Sequence, residues 1–163
     1  MTTPRKTFDL VIAANRLPVD KQVDENGKVG WRRSPGGLVT AMESVMQTNP
    51  GAWVGWAGDA GEPPAPFDEN GMHLRPVGLS AEEVRDFYEG FSNDTLWPIY
   101  HDVIVPASFH REWWAAYERV NRRFAEAAAE EAAPGARIWI HDYQLQLAPA
   151  FVRELRPDVR IGW

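Results

Sequence analysis

The sequence predicts an α/β domain built on a doubly wound, mostly parallel sheet, and three observations carry that prediction. Short apolar runs, Phe8-Asp9-Leu10-Val11-Ile12-Ala13-Ala14 and Arg137-Ile138-Trp139-Ile140, read as strands buried on both faces. Stretches with apolar residues at helical spacing lie between such runs, and glycine, proline and asparagine clusters separate the two kinds. Strands alternating with helices bury their surfaces best as a parallel sheet with crossover helices. At 163 residues the chain suits one domain with a real core.

Each element follows from its own residues. Phe8 to Ala14 is the first strand and ends in the polar pair Asn15-Arg16. From Leu17 to Pro35 the sequence carries Gly27, Gly30 and mixed charges without sustained periodicity, and reads as a mobile loop or weak hairpin. Gly36-Gly37 then opens an amphipathic helix, Leu38 to Gln47. Ala52 to Trp56 and His73 to Val77 are strand-like, separated by a turn region from Gly58 to Asp68. Ser80-Ala81-Glu82-Glu83 has the capping-box pattern, which places a helix from there to about Phe91. The longest helix is expected from Arg111 to about Ala132, with Trp114, Tyr117, Val120, Phe124 and Ala128 near one face and Pro134-Gly135 ending it. A helix from Gln144 to Leu155 and a strand from Val159 to Trp163 complete the pattern.

In such a sheet, ligands lie beyond the carboxyl ends of the strands. The polar residues at those positions are Asn15-Arg16 and His141-Asp142, a cation and a carboxylate on one edge. A sugar phosphate requires that pairing, a guanidinium for the phosphate and a carboxylate for a hydroxyl. Gly36-Gly37 at a helix start lets the backbone approach a diphosphate, which the exposed N–H groups favour. Read alone, each feature has an ordinary alternative, a surface arginine or a plain helix start.

Composition narrows the rest. A net charge of −6 argues against nucleic-acid binding, since a phosphate backbone must be met by surplus Lys and Arg. No run is long enough to span a membrane, the N-terminus lacks the apolar stretch of a signal peptide, and the cytoplasm is the expected location. Cysteine is absent, which excludes disulfides and thiolate metal sites. There is no GxGxxG, no P-loop and no Asp-x-Asp, so no cofactor and no metal are expected.

Taken in order, Asn15-Arg16-Leu17-Pro18, Ser34-Pro35-Gly36-Gly37-Leu38, Trp53-Val54-Gly55-Trp56-Ala57-Gly58, Tyr88-Glu89-Gly90-Phe91-Ser92-Asn93 with Leu96-Trp97-Pro98 and His101, and Ile140-His141-Asp142-Tyr143-Gln144-Leu145 resemble the trehalose-6-phosphate synthases of glycosyltransferase family 20. That resemblance implies a GT-B architecture of two Rossmann-like domains. Residues 1–163 would be the N-terminal, acceptor-binding one, incomplete and without the C-terminal donor domain. It implies transfer of glucose from UDP-glucose to glucose 6-phosphate with retention, by positioning and phosphate stabilisation, with no separate cofactor. It makes Arg16 and Tyr88 ligands of the acceptor phosphate and Asp142 a ligand of the acceptor sugar. Gly36 and Gly37 become the backbone contact to the donor diphosphate. Trp97 would look onto the acceptor and select its α anomer, so Asp142 and Trp97 stand as the catalytic pair. Trp56, His101 and His141 are further cleft candidates, each with packing as the competing role. The longer protein has room for a homo-oligomer, which the sequence does not decide.

The pattern departs from the family at Gln144, where His is usual. Glucosylglycerol-phosphate synthases and cyclitol-coupling pseudoglycosyltransferases therefore stay open as alternatives, as does a non-catalytic sugar-phosphate-binding module.

Overall fold

The computed structural model describes residues 6–102 and 104–163. Strand β1 (Phe8–Arg16) leads into a hairpin of β2 (Val19–Val23) and β3 (Val29–Arg33), then helix α1 (Gly37–Thr48) and β4 (Ala52–Trp56). Strands β5 (Phe67–Glu69) and β6 (Met72–Val77) follow, then α2 (Ala81–Glu83), a π-wound segment (Val84–Leu96) and α3 (Trp97–Tyr100). Helix α4 (Arg111–Glu131), β7 (Ala132–Ile140), a 3-10 turn (Tyr143–Leu145), α5 (Ala148–Leu155) and β8 (Arg160–Gly162) complete the order.

The main sheet runs β5-β6-β4-β1-β7-β8. Its β6, β4, β1, β7 and β8 are parallel, and only β5 is antiparallel, against β6. The chain winds outward from β1 through β4 to β6, then crosses back to β7 on the other side of β1. The point where the order reverses therefore lies between β1 and β7, where a doubly wound sheet opens its crevice.

Two cores flank the sheet, as the unalternated strand runs predict. Leu10, Ile12 and Ala14 pack with Met42 and Met46 of α1, Trp53 and Leu74 on one face. Val11, Ala13, Val54, Ile138 and Ile140 pack with Val120, Phe124 and Ala128 of α4 and Val152 of α5 on the other. Each fully buried aliphatic or aromatic side chain contributes about 1.5–3 kcal/mol of transfer energy.

The capping box forms as expected, with the Glu83 N–H donating to Ser80 Oγ at 3.1 Å and the Ser80 N–H to Glu83 Oε2 at 3.0 Å. Of the two readings of Leu17 to Pro35 the hairpin holds, with five paired positions, Val19 to Val23 against Val29 to Arg33. Other expectations are corrected. Strand β5 falls at the end of the region expected to be all turn, too short to show a period. The helix from Ser80 does not stop at Phe91 but continues in π winding to Leu96 and on to Tyr100. Helix α4 does run from Arg111 to Glu131, within a residue of the expected end, and Arg156 ties the junction that follows: its guanidinium donates to the carbonyls of Ala129, Ala132 and Ala133. Trp114 is half-exposed at the end of the α4 stripe, against Phe91 and Tyr117. The expected Gln144 helix divides into the 3-10 turn and α5, and the last strand shortens to Arg160–Gly162.

Candidate functional site

The site is assembled where β1 and β7 end. The pairing of β1 with β4 slips between Ala13 and Arg16, a bulge of the kind that re-aims a side chain at a strand terminus. Trp53 Nε1 donates to the Arg16 carbonyl at 3.0 Å, and the Leu17 N–H donates to the Trp56 carbonyl at 3.0 Å, so the Arg16 backbone is fixed from both sides. The guanidinium lies over the Trp56 ring, 5.1 Å from its centroid. It also approaches the Asp20 carboxylate at 3.5 Å, a largely exposed pair that holds it only weakly.

Trp56 itself is buried, with Nε1 donating to the Asp59 carbonyl at 2.8 Å. Its ring meets Tyr88 edge-on at 5.5 Å. Trp56 is therefore a platform beneath Arg16 and Tyr88 rather than a wall of the cleft. Tyr88 comes from the π-wound segment, a geometry that recurs at functional sites.

At the start of α1, Gly36 is extended and offers no side-chain cap. The first intrahelical bond is from the Thr40 N–H to the Gly36 carbonyl at 3.1 Å. The N–H groups of Gly37, Leu38 and Val39 thus have no intrahelical acceptor, and no acidic residue occupies the first turn. Such an end favours an anion.

Asp142 has φ 72° and ψ 164°, a region that glycine almost alone adopts. A conformation of this kind costs on the order of 1–3 kcal/mol and persists only where its surroundings impose it. On one side the His141 N–H donates to the Ala13 carbonyl at 2.9 Å, and on the other Asp142 Oδ1 accepts from the Tyr143 N–H at 2.8 Å. Buried Asn121 of α4 clamps the chain just beyond. Its Nδ2 donates to the carbonyls of Tyr117 and Gln144, and its Oδ1 accepts from the N–H groups of Leu147 and Ala148. Tyr117 adds a second clamp, its hydroxyl donating to the Tyr143 carbonyl at 2.6 Å and accepting from the Gln146 N–H at 3.1 Å.

Arg16, Tyr88, Asp142, Gly36 and Gly37 line one cavity of about 440 Å³. Asn15 Oδ1, Ser34 Oγ and Gln144 Oε1 belong to residues of the same wall and are buried without a hydrogen-bond partner among the described residues.

Three expected residues stand elsewhere. Trp97 is 40% exposed and stacks on His101 at 4.6 Å, and His101 Nδ1 lies 2.8 Å from the Trp97 carbonyl. His101 and His141 line a neighbouring cavity of about 330 Å³ with Tyr143 and Trp163, joined to the first through Asp142. Burial pushes the His141 imidazole below its usual value, only partly opposed by the adjacent Asp142 charge. The approach of Asp20 and Gly58 to Arg16 has no signal in the sequence, because it depends on the hairpin and on the loop after β4.

The sheet order and the cavity at its point of reversal define the class: a Rossmann-like domain with its crevice beyond β1 and β7. The sequence profile of glycosyltransferase family 20 matches residues 8–163, and the chain belongs to that family. It is 57% identical over 157 residues to a trehalose-6-phosphate synthase of Mycolicibacterium smegmatis, a match covering 96% of this chain and 31% of that protein. It superimposes on a UDP-forming α,α-trehalose-phosphate synthase of Burkholderia xenovorans in complex with glucose-6-phosphate, with TM-score 0.75, 27% identity and coverage of 94% of this chain and 33% of that one. An E. coli trehalose-6-phosphate structure bound with UDP-2-fluoro glucose gives TM-score 0.77 at 28% identity, covering 94% of this chain and 32% of that one. The chain thus spans about a third of the length of the relatives it matches. No helix among the described residues is long and apolar enough to cross a membrane.

Proposed function

We propose that this chain supplies the acceptor-binding part of a retaining glucosyltransferase that moves glucose from UDP-glucose to glucose 6-phosphate, forming α,α-trehalose 6-phosphate. One observation carries the reading: Arg16, Tyr88, Asp142 and the Gly36-Gly37 helix start, from four separate segments, share one cavity at the end of the central strands. Arg16 and the Tyr88 hydroxyl bind the acceptor phosphate, and Asp142 accepts from a sugar hydroxyl. The free N–H groups of α1 meet the donor diphosphate without a metal. Catalysis then rests on holding the acceptor hydroxyl against the donor and on stabilising the leaving phosphate. The relatives with glucose-6-phosphate and with UDP-2-fluoro glucose support this choice of substrates.

A second reading draws on Gln144, whose buried Oε1 has no hydrogen-bond partner among the described residues. A glutamine there suits a different acceptor, a glycerol phosphate or a cyclitol. Calorimetric titration of this chain with glucose 6-phosphate and with glycerol 3-phosphate separates the two. We expect glucose 6-phosphate to bind, and a clear preference for glycerol 3-phosphate would overturn the first reading. A parallel assay of UDP release from UDP-glucose should show binding without turnover, as befits a third of a two-domain enzyme. Turnover at a full-length rate would remove the assignment of donor chemistry to the rest of the protein.

A further inference from the structure

The guanidinium of Arg16 is confined by a glycine as well as by Trp56. A Cβ built on Gly58 would stand 2.4 Å from Arg16 Nη2, 2.8 Å from Cζ and 3.2 Å from Nη1. No side chain larger than hydrogen fits there while Arg16 keeps its place. The Gly58 segment is held against retreat by the buried Trp56, whose Nε1 donates to the Asp59 carbonyl across it at 2.8 Å. The flexible partner is the end of Arg16, so an added methyl group displaces the guanidinium and spares the core.

We propose that Gly58 is a positioning residue: its bare Cα, with the Trp56 ring, sets where the Arg16 guanidinium meets an anion in the cavity. The inference rests on the phosphate-binding reading of that cavity. It concerns the geometry of one contact, since relieving a 2.4 Å approach moves the guanidinium by about 1 Å, and a misplacement of that size is enough to spoil a directed charge-assisted bond.

Gly58 has φ +103°, so alanine there also strains the backbone. Gly61 separates the two effects: its φ is +113°, and a Cβ on it meets nothing within 4 Å. The test compares Gly58→Ala, Gly61→Ala, Arg16→Ala and the Gly58→Ala/Arg16→Ala pair in this protein. The readouts are glucose 6-phosphate affinity by calorimetry and the Arg16 Nε–Hε cross peak by NMR, assigned by its loss in Arg16→Ala. We expect Gly58→Ala to weaken binding about tenfold and to move the cross peak away from its ring-current-shifted position over Trp56. Gly61→Ala should leave both unchanged, and Gly58→Ala should add nothing once Arg16 is alanine. An unmoved cross peak in Gly58→Ala overturns the proposal, as does an equal effect from Gly61→Ala. If glucose 6-phosphate fails to bind the unaltered protein, the phosphate reading falls, while the cross peak still decides the role of Gly58.

Discussion

Arg16 and Asp142 carry the sharpest expectations because each is exposed and polar, the Arg16 carbonyl held by the Trp53 indole N–H and the Asp142 carboxylate by the Tyr143 N–H. A charge-assisted phosphate contact is worth about 1.5–3 kcal/mol, so Arg16→Ala should weaken glucose 6-phosphate binding about tenfold or more. Its melting temperature should hold, since the side chain is 44% exposed and its ion pair to Asp20 is weak. Calorimetry and a thermal melt on that variant check both halves. For Asp142 the strain adds a second handle. Asparagine can accept the same Tyr143 N–H and bears the same backbone strain as aspartate, so Asp142→Asn should melt no lower than the parent while binding acceptor more weakly. Asp142→Gly should melt as high or higher, because glycine relieves a conformation that aspartate adopts at a cost. A clear drop in melting temperature for both variants would make Asp142 a structural cap and remove it from the site.

Among the elements, α4 does more than fill the core. Its apolar stripe seats it on the sheet, but Asn121 and Tyr117 on the same helix bind the backbone from Tyr143 to Ala148 and so brace the turn that presents Asp142. Asn121→Ala leaves four buried backbone groups to find new partners, a loss on the order of 3 kcal/mol. For a domain of this size that lowers the melting temperature by roughly 6–12 °C. Acceptor affinity should fall with it, although Asn121 does not line the cavity, and titration below the lowered melting point tests this. Preserved affinity would show that the turn holds its shape unaided. The π-wound segment matters in the same way, as its winding carries Tyr88 to the Trp56 platform while Gly90 leaves room for the Trp113 ring of α4.

Across the whole molecule, two groups make stability depend on pH in the same direction. Burial lowers the His141 imidazole from 6.5, so the unfolded chain binds the extra proton first. Its contribution is complete above about pH 6.5 and is lost as the pH falls through the lower folded value. Burial pushes the Glu83 carboxyl up, but the Arg123 guanidinium, bound to both oxygens at 2.8 Å, together with the Ser80 N–H outweighs it and leaves it below 4.5. That contribution is complete above the ordinary carboxylate range and is lost as the pH falls through the folded value. Melting temperature should therefore decline in two stages on acidification. His141→Gln should flatten the stage between pH 7 and 5, and Glu83→Gln should reduce the stage below 4.5, which Asp158, held low by the Arg156 guanidinium and the Gly135 N–H, shares. A parent melting temperature that stays level from pH 7 to 5 would contradict the His141 assignment.

Much of this was legible in the sequence because the signals are local. The buried strand runs, the capping box at Ser80 and the α4 stripe each state their geometry in a few neighbouring residues. The ordered motifs likewise marked Arg16, Tyr88, Asp142 and Gly36-Gly37, which the fold does gather into one cavity. Sequence alone could not show the length of the helix after Ser80, since π winding hides from a 3.6-residue period, or that Arg156 would tie the junction after α4. Only the tertiary structure separated Trp97 and His101 from the main cavity and turned Trp56 from a candidate wall into a buried platform. It alone brought Gly58 and Asp20 against Arg16 and placed Asp142 in a glycine-like conformation. The division is physical: a residue's identity fixes which interactions it can make, but its distance to residues far along the chain is set by how strands, loops and helices pack around them.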